Sequence, residues 1–320
     1  MPRDDWRRVD SKHPCTKCGK DGWCQYTPNG AVMCMRVADG GQHHVDCNGQ
    51  DYWIHRPGGA SASSPCDPDA IADPAPECAT LEIRDRVYTA LLSALTLEPG
   101  HRADLRRRGM SDAEIDRRGY RSLPIGKPRW RVAAALAARF GPDLATVPGF
   151  YQGKSDSGRV YWTWGGPPGF AIPVRCLDAR IVALQIRPDV IDGGAKYLYL
   201  SSSRHGGPGP GAPVHVPLSM PGTPDPYGGT VAIVEGIMKS DCVTVLDPAR
   251  LPVIGIPGHA AWRSALPILG QLAPQTVRYR ADPDAWTKEP VGRSLKAFVR
   301  MLKSHGYAIE LGRFRGVNET

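Results

Sequence analysis

Three carboxylates in the last third of the chain are placed where they could do chemistry. Glu235 follows the apolar run VAIV and precedes Gly236, while Asp282 and Asp284 sit two residues apart in RYRADPDAW, residues 278–286. In an open parallel sheet, ligands gather at the carboxyl ends of strands. Carboxylates brought together there repel one another unless a cation neutralises them. Mg²⁺ accepts one or two carboxylates and completes its shell with water and phosphate oxygens. The chemistry expected of Glu235, Asp282 and Asp284 is therefore metal-assisted phosphoryl transfer. Asp282 and Asp284 alone have a plainer use, because Asp-Pro-Asp often turns the chain and caps the next helix. Glu235-Gly236 at the end of a second extended run tips the balance toward a metal site.

A second constellation lies near the start. HPCTKCGKDGWCQYTPNGAVMC spaces Cys15, Cys18, Cys24 and Cys34 as C-x2-C-x5-C-x9-C. Paired thiolates two residues apart bite one ion, and Zn²⁺ is the default for a tetrahedral thiolate set without redox chemistry. Cys24 is the candidate fourth ligand, with His43, His44, Cys47 and His55 as rivals. A segment of about 45 residues with so little apolar content needs such a staple to fold. Trp23, Tyr26, Tyr52 and Trp53 stand among basic residues, a composition suited either to stacking on single-stranded bases or to the segment's own small core.

The elements that must position these residues read as follows. The chain has 320 residues, 41% hydrophobic, with a formal net charge of +8 and nine cysteines. It holds no run of about 18 apolar residues, and MPRDDWRRVD lacks the apolar segment of a secretory signal, so no membrane association and a cytoplasmic location are expected. In that compartment the cysteines point to metal ligation rather than disulfides. The basic balance suits a polyanionic partner. Residues 81–140 are helical in pattern, with 13 Lys or Arg against 7 Asp or Glu, and Ser111 with Glu114 has capping-box spacing. That helical segment either lies along phosphates or presents a solvated face. RVYWTW, GFAIPVRC, RIVALQIRP and KYLYLSS read as an antiparallel sheet. From Thr230 onward strands and helices alternate, which implies a mainly parallel sheet covered on both faces. The fold class is α/β and multi-domain. The expected order is a zinc ribbon over 1–60, a linker over 61–80, a basic helical segment over 81–149, an antiparallel-sheet subdomain over 150–226 and a parallel-sheet domain over 227–320.

VAIVEGIMKSD followed by YRADPDA resembles the TOPRIM domain shared by bacterial-type primases, topoisomerases and some nucleases. The resemblance implies that Glu235, Asp282 and Asp284 hold a divalent ion, Mg²⁺ or Mn²⁺. GFAIPVRCLDARIVALQIRPDVIDGGAKYLYLSSS resembles the first part of the bacterial primase catalytic core, which implies that Arg187 and Lys196 steady phosphates. A zinc ribbon ahead of such a core is similar to bacterial and phage primases and to primase-like proteins of plasmids and integrated elements. What this implies is a DNA primase, a nucleotidyltransferase making short oligonucleotides from NTPs on a single-stranded DNA template, in replication of a mobile element with a helicase or polymerase as partner.

The chain departs from that family at several points. Val37 stands where a second C-x2-C would close, and Lys239 stands where an acidic residue follows Glu-Gly, with Asp241 close by. RGVNET offers only Asn318 and Glu319 in place of a further acidic pair. No G-x4-G-K-[ST] loop occurs. Lys239 and the missing acidic pair favour a second reading, a non-catalytic module that binds single-stranded DNA through a degenerate TOPRIM domain, and a TOPRIM nuclease is a further rival.

Overall fold

The structure is a computed structural model and describes residues 6–21, 23–45, 51–57, 77–191, 195–281 and 289–313. The chain forms two compact units, residues 1–73 and 74–320.

The first unit is a small antiparallel sheet of β1 (Arg7–Arg8), β2 (Gln25–Tyr26), β3 (Val32–Cys34), β4 (Gln42–Val45) and β5 (Asp51–His55), in the order β1-β2-β3-β5-β4. Its buried core is Val9, Cys15, Cys24, Val32 and Cys34, with Cys18, Tyr26, Met35 and Val37 packed against it. Thiols make up most of that core, so what holds the sheet is the sulfur cluster rather than apolar area.

The second unit begins with α1 (Leu81–Ser93), whose N-cap Thr80 accepts from the Ile83 amide and whose Val87, Tyr88, Leu91 and Leu92 form one buried face. Next come α2 (Pro99–Arg107), opened by Pro at its first position, and α3 (Asp112–Arg118). Ser111 caps α3 by accepting from the Glu114 amide at 3.3 Å, as its spacing implies. Glu114 turns its carboxylate to Arg117 and Arg118 instead of completing the box. The basic character of this segment is largely spent internally. Arg102 and Arg106 hold Asp112, Arg102 also holds Asp116, and Arg107 and Arg108 hold Asp104. Much of the positive charge of α2 and α3 is thus countered by acids of the same two helices.

The helical reading of 81–140 needs one correction. Residues 121–123 form a strand, β6 (Arg121–Leu123), between α3 and α4 (Gly126–Phe140). Three residues are too few to carry a period, and β6 is fixed from outside by antiparallel pairing with a later strand and by the Ser122 amide donating to the Thr96 carbonyl. After α5 (Asp143–Thr146) come β7 (Phe150–Lys154), β8 (Val160–Trp164), β9 (Gly169–Arg175), β10 (Ile181–Pro188) and β11 (Leu198–Tyr199). All pairing among these strands is antiparallel, but it makes two sheets: a hairpin of β7 and β8, and a four-stranded sheet in the order β11-β10-β9-β6.

The remainder alternates as the sequence implies: β12 (Thr230–Glu235), α6 (Ile237–Leu246), β13 (Val253–Ile256), α7 (Leu266–Leu272), β14 (Thr276–Ala281), α8 (Glu289–Ser304) and β15 (Ala308–Arg313). The four strands are parallel in the order β13-β12-β14-β15. Side chains alternate across β12: Val231 and Ile233 pack with Trp262, Leu269, Phe298 and Leu302 on one face, while Ala232 and Val234 pack with Val243 of α6 on the other. Burial on both faces is why these strands read as continuous apolar runs. Among the described residues, no helix is long and apolar enough to cross a membrane.

Candidate functional site

The carboxyl edge of the parallel sheet is built around Glu235. It is the last residue of β12 and lies level with Ile256, the last residue of β13. On the other side, Val234 is level with Arg280 of β14, which ends one residue later at Ala281. Asp282 and Asp284 lie outside the described residues, so the structure gives no geometry for them; Ala281, their immediate predecessor, ends the strand beside Glu235. Gly236 turns the chain from β12 into α6 with φ of +100°, a conformation that disfavours any side chain, and its amide donates to the Ile256 carbonyl at 2.7 Å. Gly255 makes the other local demand: a Cβ there would sit 2.3 Å from the Ser240 hydroxyl oxygen, so α6 rests directly on the β13 backbone.

Behind this edge lies a cluster that residue spacing could not reveal. Asp241, on the second turn of α6, is 2% exposed and is ion-paired with Arg118 of α3, itself 2% exposed. The Tyr120 hydroxyl donates to the second Asp241 oxygen at 2.5 Å. His215 stands 3.3 Å from the first, through Nε2. The Arg175 amide donates to His215 Nδ1 at 2.9 Å, which leaves Nε2 to carry the ring proton toward Asp241. Burial pushes the Asp241 carboxyl up most strongly, but His215, Arg118 and Tyr120 together outweigh it and hold the group down to about 2. The backbone of His215 exchanges hydrogen bonds with Gly255 of β13, and the next amide, Val216, donates to Arg175 of β9. One carboxylate thus ties α3, β6's entry, the His215 strap and α6 together. Asp241, noted in the sequence as a nearby acid, is a clamp on the helix that follows Glu235.

Arg187 and Lys196 come together as neighbours. Arg187 near the end of β10 donates to the Lys196 carbonyl at 3.3 Å, and its guanidinium lies 5.3 Å from the Tyr197 ring centroid. That contact fixes the Arg187 stem, while the Lys196 side chain is exposed.

In the first unit, the sulfurs of Cys15, Cys18, Cys24 and Cys34 all lie within 4.8 Å of one another. Cys24 therefore completes the set. His55 is buried and bonds the Val37 carbonyl through Nε2 at 3.0 Å, and His43 and His44 pack on Trp53 and Tyr52. Cys47 lies outside the described residues. Burial drives the Cys24 thiol up to about 12. Burial also acts upward on Cys18, yet the Lys20 amide and Arg36 outweigh it and bring that thiol to about 7. Arg36 Nη1 reaches both the Cys18 and Cys24 sulfurs at 3.7 Å, the outer support that a thiolate–metal centre uses. Four thiolates gathered this closely, three of them buried and Cys18 half-buried, are tenable only around a cation, and an all-sulfur donor set fits zinc. Of the four aromatics, Trp23 is 62% exposed under the Arg8 guanidinium, whereas Tyr26 packs on the sulfur core.

No protein-family model and no curated protein matches the chain. Among solved structures, a DNA primase domain from Pseudomonas aeruginosa is similar at 15% identity with a TM-score of 0.47, covering 72% of this chain and 71% of that one. The E. coli primase catalytic core gives 15% and 0.47, with 73% and 72% covered. The RNA polymerase domain of Mycobacterium tuberculosis primase DnaG, in complex with a double-stranded DNA oligomer with a 6-nucleotide overhang, gives 14% and 0.49, with 74% of each chain covered. Likeness at this level says nothing about chemistry, which has to rest on the side chains described above.

Proposed function

We propose that the protein is a DNA primase that joins NTPs into short oligonucleotides on a single-stranded DNA template. The observation that carries this reading is the strand register: Glu235 ends β12 beside β14, and the residue after β14 is Asp282, with Asp284 two further along. An oxygen-only donor set of that kind suits Mg²⁺ or Mn²⁺ rather than a thiolate-seeking metal. A divalent ion held by Glu235, Asp282 and Asp284 would activate a 3′-hydroxyl and neutralise departing pyrophosphate. In the same reading, Arg187 grips phosphate with its guanidinium fork and Lys196 adds a point charge next to it. Structural Zn²⁺ on Cys15, Cys18, Cys24 and Cys34 holds the ribbon, whose exposed Trp23 offers template bases a stacking face. The setting that fits is replication of a mobile element, with a helicase or polymerase as partner.

A second reading, a binding module without catalysis, is favoured by Lys239 in the first turn of α6 and by the engagement of Asp241 with Arg118. The two part in an assay for labelled oligonucleotides made from NTPs on single-stranded DNA with Mg²⁺ or Mn²⁺. Wild-type synthesis lost in Glu235→Gln and in Asp282→Ala/Asp284→Ala is the expected result. No synthesis by the wild type, with DNA binding retained in every variant, would give the binding module the better claim. Metal-dependent nicking in place of synthesis would identify a nuclease.

A further inference from the structure

The larger antiparallel sheet carries a hydrogen-bonded chain that neither the metal edge nor the Asp241 clamp uses. Ser122 of β6 is paired with Phe170 of β9, and Phe170 with Arg187 of β10, so these three side chains share one face of the sheet. His101, in the first turn of α2, lies over that face with its ring centroid 5.2 Å from that of Phe170. Its Nδ1 is 2.7 Å from the Ser122 hydroxyl, and its Nε2 is 2.7 Å from a carboxylate oxygen of Asp189, the residue after β10. A carboxylate only accepts, so Nε2–H donates to Asp189. The Ser122 hydroxyl accepts from the Glu98 amide at 2.7 Å, which leaves its own proton for Nδ1. A nucleophilic triad is not the use of this arrangement, because Ser122 is 7% exposed and lies in the strand, away from any substrate.

Asp189 matters for its place two residues beyond Arg187. Side chains two apart on an extended chain stand about 6.5 Å apart on the same face, within reach of an arginine. The backbone there has no freedom to move them apart. A Cβ at Gly169 would collide with the Arg187 carbonyl oxygen, so β9 and β10 meet backbone to backbone, and the Asp189 amide donates to the Pro168 carbonyl at 3.2 Å. Only the Asp189 side chain can choose its partner, and it turns to His101. Arg187 donates to the Lys196 carbonyl and lies on the Tyr197 ring, and among the described residues it pairs with no carboxylate. The acid closest to it in sequence is occupied by the imidazole.

We propose that His101, held by Ser122, is a positioning residue that keeps the Asp189 carboxylate off Arg187, so that the guanidinium stays open to the phosphates of a nucleotide. The inference rests on the phosphate role given to Arg187 above and names what protects it. Its test is equilibrium binding of a fluorescent nucleotide, mant-ATP with Mg²⁺, to the full chain, joined by KM and kcat for oligonucleotide synthesis from NTPs. His101→Phe keeps a ring on Phe170 and loses both hydrogen bonds. It should weaken mant-ATP about fivefold, the weight of an ion pair near the surface, and raise KM with kcat little changed. Asp189→Asn, which leaves His101 in place, should bind at least as tightly as the wild type, and His101→Phe/Asp189→Asn should return to that level. A purely structural role for His101 predicts no such recovery. Arg187→Ala checks the underlying reading: wild-type binding in that variant, or no binding by the wild type, would remove the phosphate role and the inference with it. Where Arg187→Ala does weaken binding, wild-type affinity in His101→Phe, a double variant no tighter than His101→Phe, or a weakened Asp189→Asn would overturn the inference alone.

Discussion

Replacing Asp241 by Asn tests the clamp behind the candidate site, because Asn keeps the shape of the side chain and removes its charge. The carboxyl is fully buried and held at about 2. A carboxyl held below its ordinary range in this way favours the ionised form in the folded state, by an amount on the order of 2 kcal/mol. The variant also strands the Arg118 guanidinium, 2% exposed, with Glu114 at 3.3 Å and the Leu218 carbonyl at 3.1 Å as its remaining partners. Removing one partner of a buried pair typically costs 3–5 kcal/mol, so a loss of about 3 kcal/mol in urea unfolding is expected. Arg118→Met combined with Asp241→Asn should recover much of that loss, since no unpaired buried charge then remains. The pH dependence has a definite sign. The native carboxyl titrates below the unfolded one, so its contribution is complete above about pH 4 and fades as pH falls toward 2. Stability measured from pH 5 down to pH 2 should therefore fall more steeply in the wild type than in Asp241→Asn. A loss under about 1 kcal/mol, or a double variant no more stable than the single, would refute the reasoning.

Two further outcomes follow from geometry. Zinc content measured on the purified protein should drop on Cys24→Ser and stay unchanged on Cys47→Ser, because Cys24 Sγ belongs to the four-sulfur cluster; equal loss in both would reassign the fourth ligand. Gly255→Ala should lower stability by about 1–3 kcal/mol in urea unfolding, since its Cβ would fall 2.3 Å from the Ser240 hydroxyl and push α6 off the sheet. Oligonucleotide synthesis should fall with it, because α6 begins one residue beyond Gly236 and carries Glu235's turn.

What could be read from the chain, and what could not, separates by the range of the forces involved. The alternation from Thr230 onward was legible because strands buried on both faces leave unbroken apolar runs, and the Ser111 cap because its bond spans three residues. The set of Cys15, Cys18, Cys24 and Cys34 was legible from spacing, and the structure brings those four sulfurs together while His55, His43 and His44 make other contacts. Strand β6 was not legible, since its reason lies in β9, about fifty residues away. Nor was the role of Asp241, because no local pattern ties it to an arginine 123 residues earlier. The separation of the β7–β8 hairpin from the larger sheet depends on which strand ends each meets, and alternating residues within a strand do not encode that.

The Arg118–Asp241 pair also bears on how the chain can be divided. Residue 226 marks a change of sequence rhythm, yet a fragment ending there would contain Arg118 and Tyr120 without the carboxylate that both address. A growing chain faces the same problem: its helical and antiparallel parts emerge first, with a cation destined for the interior and no anion to meet it. The core around α3 can close only once the first β–α unit of the parallel sheet has been made. The later segment therefore acts as the keystone of the earlier one, and the least disruptive point at which to cut the chain lies ahead of α1 rather than between the two sheets.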